Sequence, residues 1–263
     1  MPAVTSESFF PPPRVIGHRG AAMHAPENTV AGFRAAAAMG ARWVEFDVQV
    51  TRDDCPILLH DARLERTTNG RGIAADLTAN ALAGLDAGGW FGTRFRGERL
   101  PRLDEALSLL DALRLGAVIE IKAPRREGPR TMRAALAALR ACGRREATVL
   151  SSFDEDAVAL ARDQAPEIPR ALIVKTVPRD WRVRAERLGL SALHVDQRTL
   201  DRATVAAVAE RMPLRAYTVN APDRAQTLFV WGADAVFTDC PDVISSADGH
   251  QRTEQASAGS RGS

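Results

Sequence analysis

Lysine is almost missing from this chain of 263 residues: Lys122 and Lys175 are the only two, so 33 of its 35 basic side chains are arginine. A lysine kept against that background points to a place that wants a compact ammonium rather than a planar fork. Cysteine is scarce too. Cys55, Cys142 and Cys240 are scattered and odd in number, which excludes a disulfide framework and suits a reducing, cytoplasmic setting. Charge of one sign is not in excess: the net charge is +2, too weak a field to draw in nucleic acid. No apolar run approaches the roughly 18 residues needed to cross a bilayer, so stable membrane insertion is not expected. The opening "MPAVTSESFFPPPR" has neither the basic n-region nor the apolar h-region of a signal peptide. Neither a GxxxxGK[ST] loop nor a GxGxxG fingerprint occurs, which counts against kinase and dehydrogenase chemistry.

What is present is ordinary globular material, 45% hydrophobic and 26% charged. The Pro-rich leader (1–13) and the polar tail (245–263) read as disordered, leaving one domain over 14–244. Within it, nine short β-forming runs alternate with alanine-rich amphipathic stretches: 14–18, 43–50, 57–60, 117–121, 148–152, 171–174, 192–195, 215–219 and 234–238. Helix starts are expected at Pro101, Asp154 and Thr199. Alternation of this kind means βα units and a parallel sheet. Nine strands are one too many for an eight-stranded barrel, but only "TRDDC" joins the second run to the third. A parallel crossover needs about a dozen residues, so "PILLH" is an antiparallel return strand. The fold expected is therefore α/β, a (β/α)₈ TIM barrel with a small insertion over about 50–100, after the second strand. A doubly wound open sheet is the competing architecture.

The second strand, "WVEFDVQV", carries the most pointed observation. Glu45 and Asp47, two apart, share one side of a run that otherwise reads as buried, and burying a carboxylate is costly unless a positive group faces it. In a barrel, chemistry gathers at the carboxyl ends of the strands. His18 and Arg19 close the first strand, Glu120 and Lys122 the third barrel strand, and the hairpin returns His60 to about the level of Glu45 and Asp47. Oxygen-only ligands Glu45, Asp47 and Glu120 suit a hard divalent cation, Mg²⁺ or Ca²⁺. With Arg19 and Lys122 beside it, such a site receives a phosphoryl group, and two histidines supply an acid–base pair. Plainer readings exist for each group: a structural arginine network for the two acids, a backbone-bonded His18, a hairpin-capping His60 and a snorkelling Lys122. His24 and His194 read as structural or peripheral, His250 as part of the tail, and the arginines of "APRREGPR" as a solvated loop.

At these residues the chain resembles the glycerophosphodiester phosphodiesterases. The resemblance is carried by "GHRG" (17–20), "APENT" (25–29), "VEFDVQVTRDD" (44–54), "HDARLERTTNGRG" (60–72), "LDAGGWF" (85–91), "LPRLDEAL" (100–107), "IEIK" (119–122), "SSF" (151–153), "YTVN" (217–220) and "GADAVFTDCP" (232–241). It implies metal-dependent hydrolysis of small-molecule glycerophosphodiesters to sn-glycerol 3-phosphate and an alcohol. By carry-over, Glu45, Asp47 and Glu120 are metal ligands, His18 and His60 the catalytic pair, and Arg19 and Lys122 phosphate contacts. Glu27 and Asn220 fall in supporting positions. The resemblance also makes Tyr217 a substrate contact; it stands where many members have tryptophan, which keeps an aromatic wall but adds a hydroxyl. A phospholipase D-type diesterase acting on lysophospholipids is the nearer alternative, with "GGWF" and Phe95 as an acyl site. A non-catalytic metal- or phosphate-binding module is the further one.

Overall fold

A computed structural model of the protein describes residues 12–124, 127–143 and 146–245. The leader and tail expected to be disordered lie almost wholly outside these residues, as does His250. Eight strands run parallel: β1 (Val15–Gly17), β2 (Trp43–Val50), β4 (Gly116–Ile121), β5 (Thr148–Ser152), β6 (Arg170–Val174), β7 (Ala192–Asp196), β8 (Leu214–Tyr217) and β9 (Ala235–Thr238). The ring closes where Gly17 of β1 pairs with Val44 of β2, which rules out the open doubly wound sheet. The protein is a TIM barrel with one extra strand. That strand, β3 (Pro56–Leu58), runs antiparallel to β2, with Val48 opposite Leu58 and Val50 opposite Pro56.

Strand alternation sorts β2 into two layers. Val44, Phe46 and Val48 join the core between the barrel and helices α1 (Val30–Ala38), α3 (Leu103–Ala112), α4 (Gly128–Cys142) and α5 (Glu155–Gln164). Trp43, Glu45 and Asp47 therefore face the barrel axis. Trp43 fills the bottom with Ile16, Val118, Val149 and Phe237. Gly116, which begins β4 beside it, has no room for a side chain: a Cβ there would lie 2.2 Å from the Trp43 ring. Helices α6 (Trp181–Leu188), α7 (Arg202–Ala209) and α8 (Pro222–Trp231) cover the other half of the barrel around Leu193, Val195, Leu214 and Leu228.

The expected helix starts are met with one correction. Asp154 caps α5 by accepting from the amides of Asp156 and Ala157, and α3 begins just after Pro101, where Glu105 accepts from the Arg102 amide at 3.0 Å. Thr199 does not start α7. Its hydroxyl donates to the carbonyls of Lys175 and Asp196, and the cap is Asp201, whose carboxylate accepts from the Thr204 amide at 2.7 Å. A carboxylate left free for the first turn outcompetes a hydroxyl already engaged.

The insertion is a small lobe with its own apolar centre of Ile57, Leu59, Leu64, Ala74, Leu82, Ala87 and Leu100. It contains β3 and the single-turn α2 (Ala79–Leu82). Gln49, facing the same way as Asp47, pins it to the barrel: its side-chain amide donates to the carbonyls of Leu59, His60 and Asp61 at 2.8, 3.1 and 2.7 Å. Arg130 of "APRREGPR" is likewise tied down, although its side chain stays partly exposed. It bonds Asp54 and the carbonyls of Thr51 and Arg52, fastening α4 to the β2–β3 turn. Arg125 and Arg126 lie outside the described residues.

Candidate active site

Parallel register sets Asp47 of β2 directly beside Glu120 of β4. With Glu45 one inward-facing position below Asp47, the three side chains bring one carboxylate oxygen each to within 4.8 Å of one another. Two cations face them. Lys122 Nζ lies 2.5 Å from Glu120 and 2.9 Å from Asp47, and Arg19 Nε lies 3.3 Å from Asp47. Lys122 is thus held inside the cluster, not snorkelling. Arg19 has φ of 51°, a left-handed turn that aims its amide at Glu45 Oε2, 3.0 Å away.

These contacts do not balance the cluster. Burial pushes Glu45 well above the usual carboxylate range, and the charges of Asp47 and Glu120 push it further. Burial, then Asp47, pushes Glu120 up to about 7. For Asp47 burial is again the largest single influence and acts upward, yet Lys122, Arg19, His60 and an Asn28 hydrogen bond together hold it low. Glu45 Oε1 is buried with no hydrogen-bond partner. A trio of carboxylates that two cations only partly offset, and that leaves a buried Glu45 oxygen unpaired, fits a hard divalent cation.

Each expected catalytic histidine is held by an aspartate. His18 Nδ1 lies 2.6 Å from Asp239 Oδ1, and His60 Nδ1 lies 2.6 Å from Asp61 Oδ1. A carboxylate only accepts, so both Nδ1 atoms carry protons and both Nε2 atoms are left to exchange one. His18 Nε2 stands 3.9 Å from Glu45 Oε2. Burial lowers His60 from its ordinary pKa, and Lys122 and Arg19 add to this against the pull of Asp47.

A supporting layer fixes these groups. Asn220 donates to Asp239 Oδ2 at 2.7 Å and accepts from the Asp239 amide at 2.9 Å. Glu27 binds Arg19 at 2.8 Å and also both terminal nitrogens of Arg66, which in turn grips Asp61. Arg19, just past the first strand, and the His60–Asp61 pair beyond the hairpin are thereby tied through Glu27 and Arg66. Asn28, buried with φ of 58°, donates to Asp47 Oδ2 at 2.8 Å and accepts from the Asp47 amide at 3.1 Å.

Sequence reasoning singled out Glu27 and Asn220 but not Asn28, Asp61, Asp239, Arg66 or Gln49. Asn28, Asp61, Asp239 and Arg66 lie inside the motifs "APENT", "TDCP" and "HDARLERTTNGRG", so position marked them while their partners did not. His18 and Asp239 are 221 residues apart in the chain. Tyr217 joins the pocket wall edge-to-face with Phe153, 6.2 Å between ring centres, and its hydroxyl donates to the Val174 carbonyl at 3.0 Å. His24 is peripheral, bonded to Asp242 at 3.1 Å.

A barrel whose mouth joins three clustered carboxylates to two aspartate-anchored histidines defines a class of enzyme. The model of the glycerophosphoryl diester phosphodiesterase family matches residues 18–243. A glycerophosphodiester phosphodiesterase of Caldanaerobacter subterraneus is 31% identical over 88% of this chain and 95% of its own length. An Oleispira antarctica phosphodiesterase, solved in complex with the product sn-glycerol 3-phosphate, superposes with a TM-score of 0.87 at 35% identity, covering 90% of this chain and 97% of that one. A glycerophosphodiester phosphodiesterase from Agrobacterium tumefaciens superposes with a TM-score of 0.76 at 28% identity, covering 89% and 99%. The chain belongs to the glycerophosphodiester phosphodiesterase family and is a phosphoric diester hydrolase. Among the described residues no helix is long and apolar enough to cross a membrane.

Proposed function

We propose that the protein hydrolyses glycerophosphodiesters to sn-glycerol 3-phosphate and an alcohol, with Mg²⁺ or Ca²⁺ held by Glu45, Asp47 and Glu120. The observation carrying this reading is the pair of Nδ1-anchored histidines beside a charge-deficient carboxylate trio. A divalent cation held by these three carboxylates would supply the positive charge that polarises the phosphoryl oxygens. Arg19 and Lys122, fixed by Glu27, Asp47 and Glu120, add donors that orient the diester. One histidine takes a proton at Nε2 from the nucleophile, water or the substrate's own neighbouring hydroxyl. The other delivers one to the leaving alkoxide, while Asp239 and Asp61 stabilise the imidazolium that each passes through. On this reading the reaction belongs to glycerol and lipid metabolism. Cys55, Cys142 and Cys240, all free thiols, support a cytoplasmic location.

The lysolipid alternative draws no support. Trp90, Phe91 and Phe95 stack edge-to-face on one another and are absent from the walls of the pockets at His18. The test is turnover of glycerophosphocholine by the full chain, by His18→Ala and by His60→Ala, each stripped with EDTA and reloaded with Mg²⁺ or Ca²⁺. Each substitution is expected to lower kcat by roughly 10²–10⁴-fold, and only a divalent cation is expected to restore the stripped enzyme. Full activity in either variant, or in EDTA, would remove that element from the scheme.

A further inference from the structure

The two histidines are anchored in different ways. Asp239, which holds His18, is fixed by Asn220, whose side chain donates to Asp239 Oδ2 at 2.7 Å and accepts from the Asp239 amide. Asp61, which holds His60, is the next residue along the chain, and about a third of its side chain is exposed. A short carboxylate so placed has other staggered rotamers open toward water, and turning into one of them releases His60 Nδ1. What meets Asp61 is Arg66, five residues on: its Nε lies 2.6 Å from Oδ2 and its Nη2 3.1 Å from Oδ1. Oδ1 thus accepts from His60 and from Arg66 together.

The other edge of the same guanidinium closes on Glu27, with Nη1 2.7 Å from Oε2 and Nη2 2.8 Å from Oε1. Glu27 is a firm anchor, because its side chain is only 10% exposed and Arg19 holds it at 2.8 Å. Arg66 therefore makes two forked pairs at once, which the planar guanidinium allows and an ammonium does not. Its side chain is 43% exposed, and ion pairs that open to water add little to folding. The insertion also has other fastenings: Gln49, Arg94 on the His24 carbonyl, and Glu98 on the Ala31 amide. What Arg66 alone supplies is the fixed orientation of the Asp61 carboxylate.

We propose that Arg66 is a positioning residue that locks Asp61 in the orientation accepting from His60 Nδ1, and so keeps His60 Nε2 free and aimed at the reacting diester. It does for His60 what Asn220 does for His18. This rests on the proposed acid–base role of His60. The experiment compares Arg66→Met and Arg66→Lys, each alone and combined with His60→Ala, in the full, metal-loaded chain. The lysine keeps the charge and the stem but not the fork, so it covers the case in which the methionine variant folds poorly. On glycerophosphocholine each single variant is expected to lose roughly tenfold or more in kcat, with KM nearly unchanged. In the His60→Ala background the same substitutions are expected to change kcat by less than about twofold, because the group they position is gone. Independently of activity, imidazole nitrogen shifts at alkaline pH are expected to show His60 moving from the Nδ1–H tautomer to a mixture, with His18 unmoved. A kcat loss of equal size with and without His60, a loss confined to KM, or unchanged His60 shifts overturns the proposal. If His60→Ala alone keeps full activity, the acid–base reading fails instead, and the nitrogen shifts still decide whether Arg66 orients His60.

Discussion

At the scale of single residues, the site runs on pairs in which one side chain sets the proton state of another. Asp239 and Asp61 do this for the two histidines. An asparagine in either place keeps the shape but presents an amide that can hydrogen-bond the other tautomer, so Nε2 no longer reliably exchanges the proton. Asp239→Asn is expected to lower kcat roughly 100-fold or more with KM for glycerophosphocholine nearly unchanged, read by steady-state kinetics. A change confined to KM would show that Asp239 acts on binding and not on His18. Asp61 is held down to about 2 mainly by its hydrogen bonds to Arg66, so the His60 pair keeps its carboxylate across the physiological range.

At the scale of elements, the β2–β3 hairpin does what neither strand does alone. Its antiparallel return carries His60 back to the acids of β2, and Gln49 secures that return by donating to three consecutive carbonyls. Gln49→Leu keeps the volume but removes the donor from carbonyls beside the buried Leu59. Unfolding by urea is expected to show a loss of about 1–3 kcal/mol. His60 then loses its fixed position, so kcat is expected to fall as well. An unaltered midpoint would mean that the lobe's own apolar centre suffices to hold the hairpin.

At the scale of the whole molecule, the barrel mouth stores unbalanced negative charge. Glu120 titrates near 7 in the folded protein because burial and Asp47 disfavour its ionised form, against about 4.3 for a free glutamate. A folded-state pKa raised in this way favours folding below the unfolded pKa, and that advantage is lost as pH rises through the folded one. Metal-free protein is therefore expected to lose thermal stability between about pH 4.5 and 8, at roughly 2–4 °C of Tm per kcal/mol for a chain of this size. Saturating Mg²⁺ or Ca²⁺ is expected to recover the loss and to release protons on binding. A Tm flat across that range in EDTA, measured by calorimetry, would show that Lys122 and Arg19 already neutralise the trio.

Much of this was readable in the linear chain, because its signals are local. The period-two alternation of "WVEFDVQV" put Glu45 and Asp47 on one side, and five residues between two strands permitted only a hairpin. The eight remaining strands matched a barrel. Local chemistry misled at Thr199, where a hydroxyl of the right type was engaged by Lys175 and Asp196 from other parts of the fold. What only the tertiary structure decided is pairing over distance: Asp239 on His18, Asn28 on Asp47, and Arg66 across Glu27 and Asp61. Periodicity and connection length are properties of neighbours in sequence, so residue types reveal them. Hydrogen-bond partnership and burial depend on which strands the closed barrel brings side by side, and no single segment carries that information.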